Sequence, residues 1–198
     1  MHIENNKEEV PFSHYAEKFA QTAPGEIGSR LHIPFENGAF RVTLLGTDYT
    51  VTHPAAAITP TAPLPVQTFL LRWLLEGKRA AWKGEWKTFR EMPWGELYIQ
   101  PYTGRVLTRA AYTFGTRVEA FRAACEKLGA LPVTNGDAGF EFNFLDDCRI
   151  RLLVWAPDEE FPPNAQVLYT DNFAESFAPE DRVVAGDILI SHIKAAMR

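Results

Sequence analysis

Residues 72–94 hold four of the chain's five tryptophans, Trp73, Trp82, Trp86 and Trp94, among Arg72, Lys78, Arg79, Lys83, Lys87 and Arg90. Six cations there face three acids, Glu76, Glu85 and Glu91, in a chain whose net charge is -5. Indoles beside cations suit planar or anionic ligands, through stacking, cation–π attraction and bidentate hydrogen bonds from arginine. Single-stranded nucleic acid is bound by the same combination. The structural alternative is that the tryptophans plug a core while lysine stems lie over them.

A second group follows much later. Between Trp155 and Pro163, the acids Asp158, Glu159 and Glu160 leave an apolar block and stop at Pro162-Pro163. On extended backbone Asp158 and Glu160 point to one face and Glu159 to the other, so one carboxylate is expected to turn back towards the protein, where it needs donors or a cation. Acid/base chemistry of the glycosidase kind uses two such acids, though adjacent acids are common and do not specify it. An ion pair from Arg90 or Arg105 would instead orient the loop and close a cleft beside the tryptophans. The alternative is an acidic surface turn braced by Pro157, Pro162 and Pro163, with a carboxylate capping nearby backbone amides. The candidate ligand site is thus Trp86, Arg90, Glu91, Tyr98 and Arg105, with Asp158 and Glu160 opposite, and it requires the two regions to meet in space.

Other chemistries find less support. His2, His14, His32, His53 and His192 are scattered, with no pair at zinc-binding spacing, and no metal ligand set is expected. Cys125 and Cys148 stand alone and read as buried thiols. No phosphate-binding loop, dinucleotide fingerprint or nucleophile elbow occurs. The pI near 5.6 disfavours sequence-independent nucleic-acid binding. The apolar segment Thr68 to Leu75 falls short of the roughly 18 residues a membrane helix needs. Met1 to Glu9 is polar and acidic, unlike a secretory signal, so a cytoplasmic location is expected.

The elements that must position these residues follow from periodicity. Residues 1–8 read as a disordered tail, and Val10, Phe12, Tyr15 and Phe19 as a helix ending at Pro24-Gly25. Phe40 to Leu44 and Tyr49 to Thr52 form a hairpin turned at Gly46-Thr47-Asp48. Pro54 to Pro65 is a loop, and Val66 to Glu76 a helix stopped by Gly77. Tyr102 to Phe114 and Arg117 to Leu128 read as helices parted at Gly115, with Thr116 and Glu119 as a capping box. Phe140, Phe142 and Phe144 alternate with polar residues as in a half-buried strand. Arg149 to Trp155 and Gln166 to Tyr169 extend it into an antiparallel sheet. Asp171 caps a short helix through Phe177, and Pro179-Glu180-Asp181 opens a last one that buries Val183, Val184, Ile188 and Ile193. The fold class is α+β, antiparallel hairpins packed with several helices, with residues 9–198 as a single domain.

Trp86 to Tyr98 contains the run Trp-x-x-Phe-Arg-Glu-x-Pro-x-Gly, followed by Arg105. It resembles the uncharacterised prokaryotic family known as domain of unknown function 3786. Gly136-Asp137, Trp155, Asp158 to Pro162 and Pro179-Glu180-Asp181 resemble that family's later motifs in the same order, from Tyr15 to the C-terminus overall. Trp94 departs from the pattern, standing where a further glycine is expected after Pro93. The family carries no established activity. The resemblance implies an association with iron–sulfur and corrinoid proteins of anaerobes, but two cysteines cannot supply the roughly four ligands of a cluster, and no cofactor is identified. Three functions stay open: a binding or accessory module for a planar or anionic small molecule, an enzyme using acid/base carboxylates, or a protein–protein adaptor associated with corrinoid or redox enzymes.

Overall fold

Apolar residues at helical spacing open the chain, and proline decides where one helix gives way to the next. In the computed structural model, which describes residues 8–198, α1 (Glu9–Gln21) buries Phe19, and Pro24 then begins α2 (Pro24–Leu31). Proline at a first helical position gives up only an N–H that has no intrahelical partner, so the expected stop at Pro24 is also a start. Of the tail expected over residues 1–8, all but Glu8 lies outside the described residues.

Strands β1 (Phe35–Glu36), β2 (Ala39–Leu44), β3 (Thr47–Thr52) and β4 (Ile58–Thr59) pair antiparallel. The turn between β2 and β3 is Leu45-Gly46, with φ of 47° and 76°. Two positive-φ residues match the strand twist, which is why the turn sits there and Thr47-Asp48 already belong to β3. The expected loop before α3 (Leu64–Glu76) includes β4. Gly77 ends α3, and the Arg30 guanidinium donates to the Leu74 and Gly77 carbonyls at that end.

The middle of the chain is more helical than expected. After β5 (Trp86–Thr88) and a 3-10 turn over Phe89–Glu91, a nearly continuous run comprises α4 (Gly95–Tyr102), a π-helical stretch Thr103–Thr108, α5 (Arg109–Phe114), a 3-10 turn Gly115–Arg117 and α6 (Val118–Lys127). No capping box forms at Thr116, whose hydroxyl donates to the Tyr112 carbonyl. The box is at Thr88 and Glu91.

The remaining strands are β6 (Leu131–Val133), β7 (Ala138–Leu145), β8 (Cys148–Trp155) and β9 (Asn164–Thr170), followed by α7 (Phe173–Ser176) and α8 (Pro179–Ala196). Asp171 does not cap α7; Asn172 occupies that position, and the Asp171 carboxylate accepts the Lys83 and Glu85 amides at 3.1 Å each. The fold is α+β, and its sheet is all antiparallel, in the order β4-β3-β2-β7-β8-β9-β5, with β1 on β2 and β6 on β7. Its two parts join at one registered pair, Leu44 with Leu145.

One face of β7, β8 and β9 packs on helices. Phe140 meets Phe121 of α6, with ring centres 5.7 Å apart, and Phe144 meets Phe173 of α7 at 5.6 Å. The outer face of β7 is more buried than expected, since Glu141 there is only 7% exposed while Asn143 beside it is exposed. α8 is enclosed by α3, α4, α6, α7 and the π-helical stretch. Gly186 allows that last approach: a Cβ there would lie 2.9 Å from a Val106 methyl and 3.1 Å from the Tyr169 hydroxyl. Arg182, 3% exposed, donates to the carbonyls of Ala174, Phe177 and Pro93 at 2.7–2.9 Å, tying α7 and the loop before α4 to α8.

Trp94 explains why a glycine is expected after Pro93. Its φ is 66°, in the left-handed region, and its indole is 67% exposed, so the side chain offsets none of the backbone strain by burial. Trp94→Gly should raise stability by about 0.5–1 kcal/mol, the strain relieved less the entropy of glycine in the unfolded chain. A urea midpoint that moves down would refute this. Arg182→Leu should cost about 3 kcal/mol, because three buried carbonyls lose their donor. The same urea titration reads it, and a loss under about 1 kcal/mol would show that water replaces the guanidinium.

Candidate functional site

The tryptophan-rich segment crosses the outer sheet face. Trp86 pairs with Thr170 at the sheet edge, and the Arg151 guanidinium lies 3.9 Å from its ring centre; Arg149 lies 4.9 Å from that of Trp82. Both arginines reach Glu141 on the neighbouring strand, at 3.0 Å and 2.9 Å. The cation–indole pairing read from the sequence is therefore real, but the cations come from β8 and are already satisfied by Glu141. Trp73, by contrast, is a core residue of α3.

The other expected site residues disperse. Arg90 pairs with Glu96 at 3.3 Å and borders a shallow groove of about 370 Å³ that neither Asp158 nor Glu160 lines. Glu91 accepts both the amide and the hydroxyl of Thr88 at 2.7 Å, and these bonds hold its carboxyl below the ordinary range. Tyr98 packs half-buried against the core. Asp158 closes its own turn, accepting the amides of Glu160 at 2.8 Å and Phe161 at 2.7 Å, and Glu160 is exposed. The acidic bend is thus a surface turn of self-capped amides. It leaves β8 at Trp155, opposite Asn164, whereas Trp86 sits opposite Thr170 at the far end of β9, roughly 20 Å away at about 3.3 Å per residue. No ion pair joins either arginine to the bend among the described residues: Arg105 is bound to Asp187.

Arg105 leads to a different place. It lines a cleft of about 590 Å³ bounded by α3, α8 and the β2–β3 hairpin, at the seam where the two parts of the sheet join. Such volumes suit small organic ligands, which bind in clefts of about 300–1,000 Å³. The walls include Leu44, Leu45, Tyr49, Val66, Phe69 and Ile188. α8 contributes Val184, Asp187, Ile188, Ser191, His192 and Ala195, the i, i+3, i+4, i+7 stripe of one helix face.

Two carboxylates organise the charge at the cleft, Asp187 in its wall and Asp181 behind Arg72, and Glu8 also lines it. Asp187 accepts from Arg105 at 2.9 Å and from Arg109, which also donates to the Ser191 hydroxyl at 3.0 Å. Arg105 and Arg109 are four apart and reach one acid across the π-helical stretch, a distortion that recurs at functional sites. Arg72 lines the other side and lies 2.8 Å from Asp181, which is 5% exposed. Burial lowers the affinity of His192 for a proton, so it is neutral at pH 7. Burial also pushes the Asp181 carboxyl up to about 6, with Arg72 pulling the other way. Asp181 meets half of what acid/base catalysis asks: its proton affinity is raised, but it is shielded from solvent.

Sequence reasoning reached Arg105 and missed Arg72, Arg109, Asp187 and Ser191 as its companions. A signal existed. Asp187 is the lone charge in the apolar stretch Val183–Ile190 and Ser191 follows it by four residues, the spacing that also separates Arg105 from Arg109. Both cysteines are buried as expected, Cys148 with its thiol pushed up to about 12 by burial. No helix among the described residues is long and apolar enough to cross a membrane.

Asp181 sets a pH dependence. Its ordinary value is 3.8 and its folded value about 6, so the stability it contributes is whole below about 3.8 and lost as pH rises through about 6. The free-energy difference between wild type and Asp181→Asn should therefore shift against wild type by about 3 kcal/mol between roughly pH 3.5 and pH 7. Urea unfolding of both proteins across that range reads it. A difference that does not vary with pH would show that the Asp181 carboxyl is not shifted.

No curated protein and no solved structure matches the chain. A family model does: "Domain of unknown function (DUF3786)" matches residues 23–192, from the residue before α2 to His192 in α8, a span that holds every strand of the sheet and most of the cleft. The sheet, the arginine pair on Asp187 and the loop carrying Trp94 all fall within that match, and the chain belongs to the DUF3786 family.

Proposed function

We propose that the protein is a cytoplasmic binding module for a small molecule with an apolar body and an anionic group, and that the cleft between α3, α8 and the β2–β3 hairpin is its site. One observation carries the reading: Arg105, one of two guanidiniums sharing a single carboxylate, lines a cleft whose walls are otherwise mainly apolar. Apolar walls with few convergent polar groups are what small-molecule sites have in common. Two buried, unpaired thiols suit a reducing compartment. An adaptor role would draw instead on Trp94 and Leu97, both exposed near the start of α4.

A thermal-shift panel of neutral and anionic amphiphiles tests it. At a hundredfold excess over Kd, a bound compound should stabilise the protein by about 2.7 kcal/mol. Thr68→Trp, which fills the cleft from α3, and Val66→Trp beside it should abolish the shift. The proposal is lost if no compound on the panel raises the melting temperature, or if the shift survives in both variants.

A further inference from the structure

Resting on the reading of the cleft as a ligand site, we infer that its ligand is a monocarboxylate with an apolar tail, and that the ligand's carboxylate takes the place of Asp187 at Arg105. The geometry is that of an exchange. Asp187 presents one oxygen to Arg105 and the other to Arg109, so it keeps a cationic partner when Arg105 turns away. Arg109 is held twice, by Asp187 and by Ser191. Arg105 has a single hydrogen bond among the described residues, and its side chain is 54% exposed against 35% for Arg109. Arg105 is therefore the member of the pair free to re-aim its planar fork of donors at a carboxylate, which matches that fork bidentately.

Ser191 adds a second donor. Its oxygen accepts from Arg109, and its hydroxyl hydrogen has no acceptor among the described residues. It sits one helical turn from Asp187 on the same face of α8, so a carboxylate drawn to Arg105 meets a hydroxyl donor nearby.

Charge counting selects one negative charge rather than several. Two guanidiniums on one carboxylate leave a single positive charge over; Arg72, also in the cleft wall, is matched by Asp181, and Glu8, likewise lining the cleft, repels a second anionic group. The start of α3 would be the natural cradle for a phosphate, but Pro63 and Pro65 have no N–H, and the Val66 and Gln67 amides donate to the Pro63 carbonyl at 2.9 Å and 3.1 Å. That end of the cleft receives an apolar group. The lining positions of α8, Val184 to Ala195, extend about 16 Å along the helix, room for an extended chain rather than a compact ring alone.

Matched probes test the exchange: decanoate, 1-decanol and decyl phosphate, titrated into the whole protein at about pH 7.5 by calorimetry, with Arg105→Gln, Arg105→Lys and Asp187→Asn beside wild type. Decanoate should bind about tenfold to a hundredfold tighter than decanol. Arg105→Gln should erase that preference and leave decanol binding unchanged, and Arg105→Lys should restore part of it. Asp187→Asn removes the competing carboxylate and should tighten decanoate binding severalfold without moving decanol, a gain that a merely structural Asp187 would not produce. Equal binding of decanol and decanoate overturns the exchange and leaves the cleft reading standing. So does failure of all three probes when another compound of the thermal-shift panel binds in a Thr68→Trp-sensitive way. Decyl phosphate binding tighter than decanoate overturns the monocarboxylate, and silence across both experiments overturns the cleft itself.

Discussion

Helix α8 is buried on nearly every side from Asp181 to Ile193, and a helix of that kind is stable in water only when other elements cover it. Ile188, Leu189, Ile190 and Ile193 are all buried, and they point in different directions around the axis. Coverage comes from α3 on one side, from α6 and the Gly95–Phe114 run on another, and from β9 through Tyr169 beneath. Close coverage needs Gly186, since a side chain there would collide with Val106. What is left uncovered is a single stripe, and the cleft is the space between that stripe, α3 and the hairpin. The candidate site is thus the gap in an otherwise complete enclosure.

The way buried charge is settled separates structural positions from the candidate functional one. Arg182 spends its donors on three backbone carbonyls, and Glu141 is flanked by Arg149 and Arg151 under two indoles. Both arrangements are closed: each buried group has its partners, and such groups fix how elements dock more than they add stability. Asp181 with Arg72 is shielded as well, at a cost visible in its raised proton affinity. Asp187 differs, because its second guanidinium is surplus and half exposed in a cleft.

The tryptophan-rich segment shows how composition can point to a real interaction and misplace its partners. Stacking of arginine on indole occurs, yet the arginines are Arg149 and Arg151, sixty residues or more further along the chain, brought over the indoles by the pairing of β5 with β9 and β9 with β8. Sequence proximity of Lys83, Lys87 and Arg90 to the tryptophans has no such consequence: Lys83 pairs with Glu175, Lys87 with Glu85 and Arg90 with Glu96.

Features governed by neighbouring residues could be read directly. The β2–β3 hairpin, α3 with its stop at Gly77, the β7–β8 turn at Asp146-Asp147 and the start of α8 at Pro179 each follow from alternation, helical spacing or proline and glycine chemistry within a few positions. The family motifs were equally visible, as was the self-capped turn at Asp158 as one of two readings. The helix over Gly95–Tyr102 was hidden, because Trp94 and Pro101 are poor local signals and Arg182, from a distant helix, holds the Pro93 loop that precedes it. The cleft was hidden for the same reason in stronger form. Its members come from α3, the hairpin, the π-helical stretch and α8, and which carboxylate meets Arg105 depends on how those elements pack, a matter of long-range burial that no local spacing encodes.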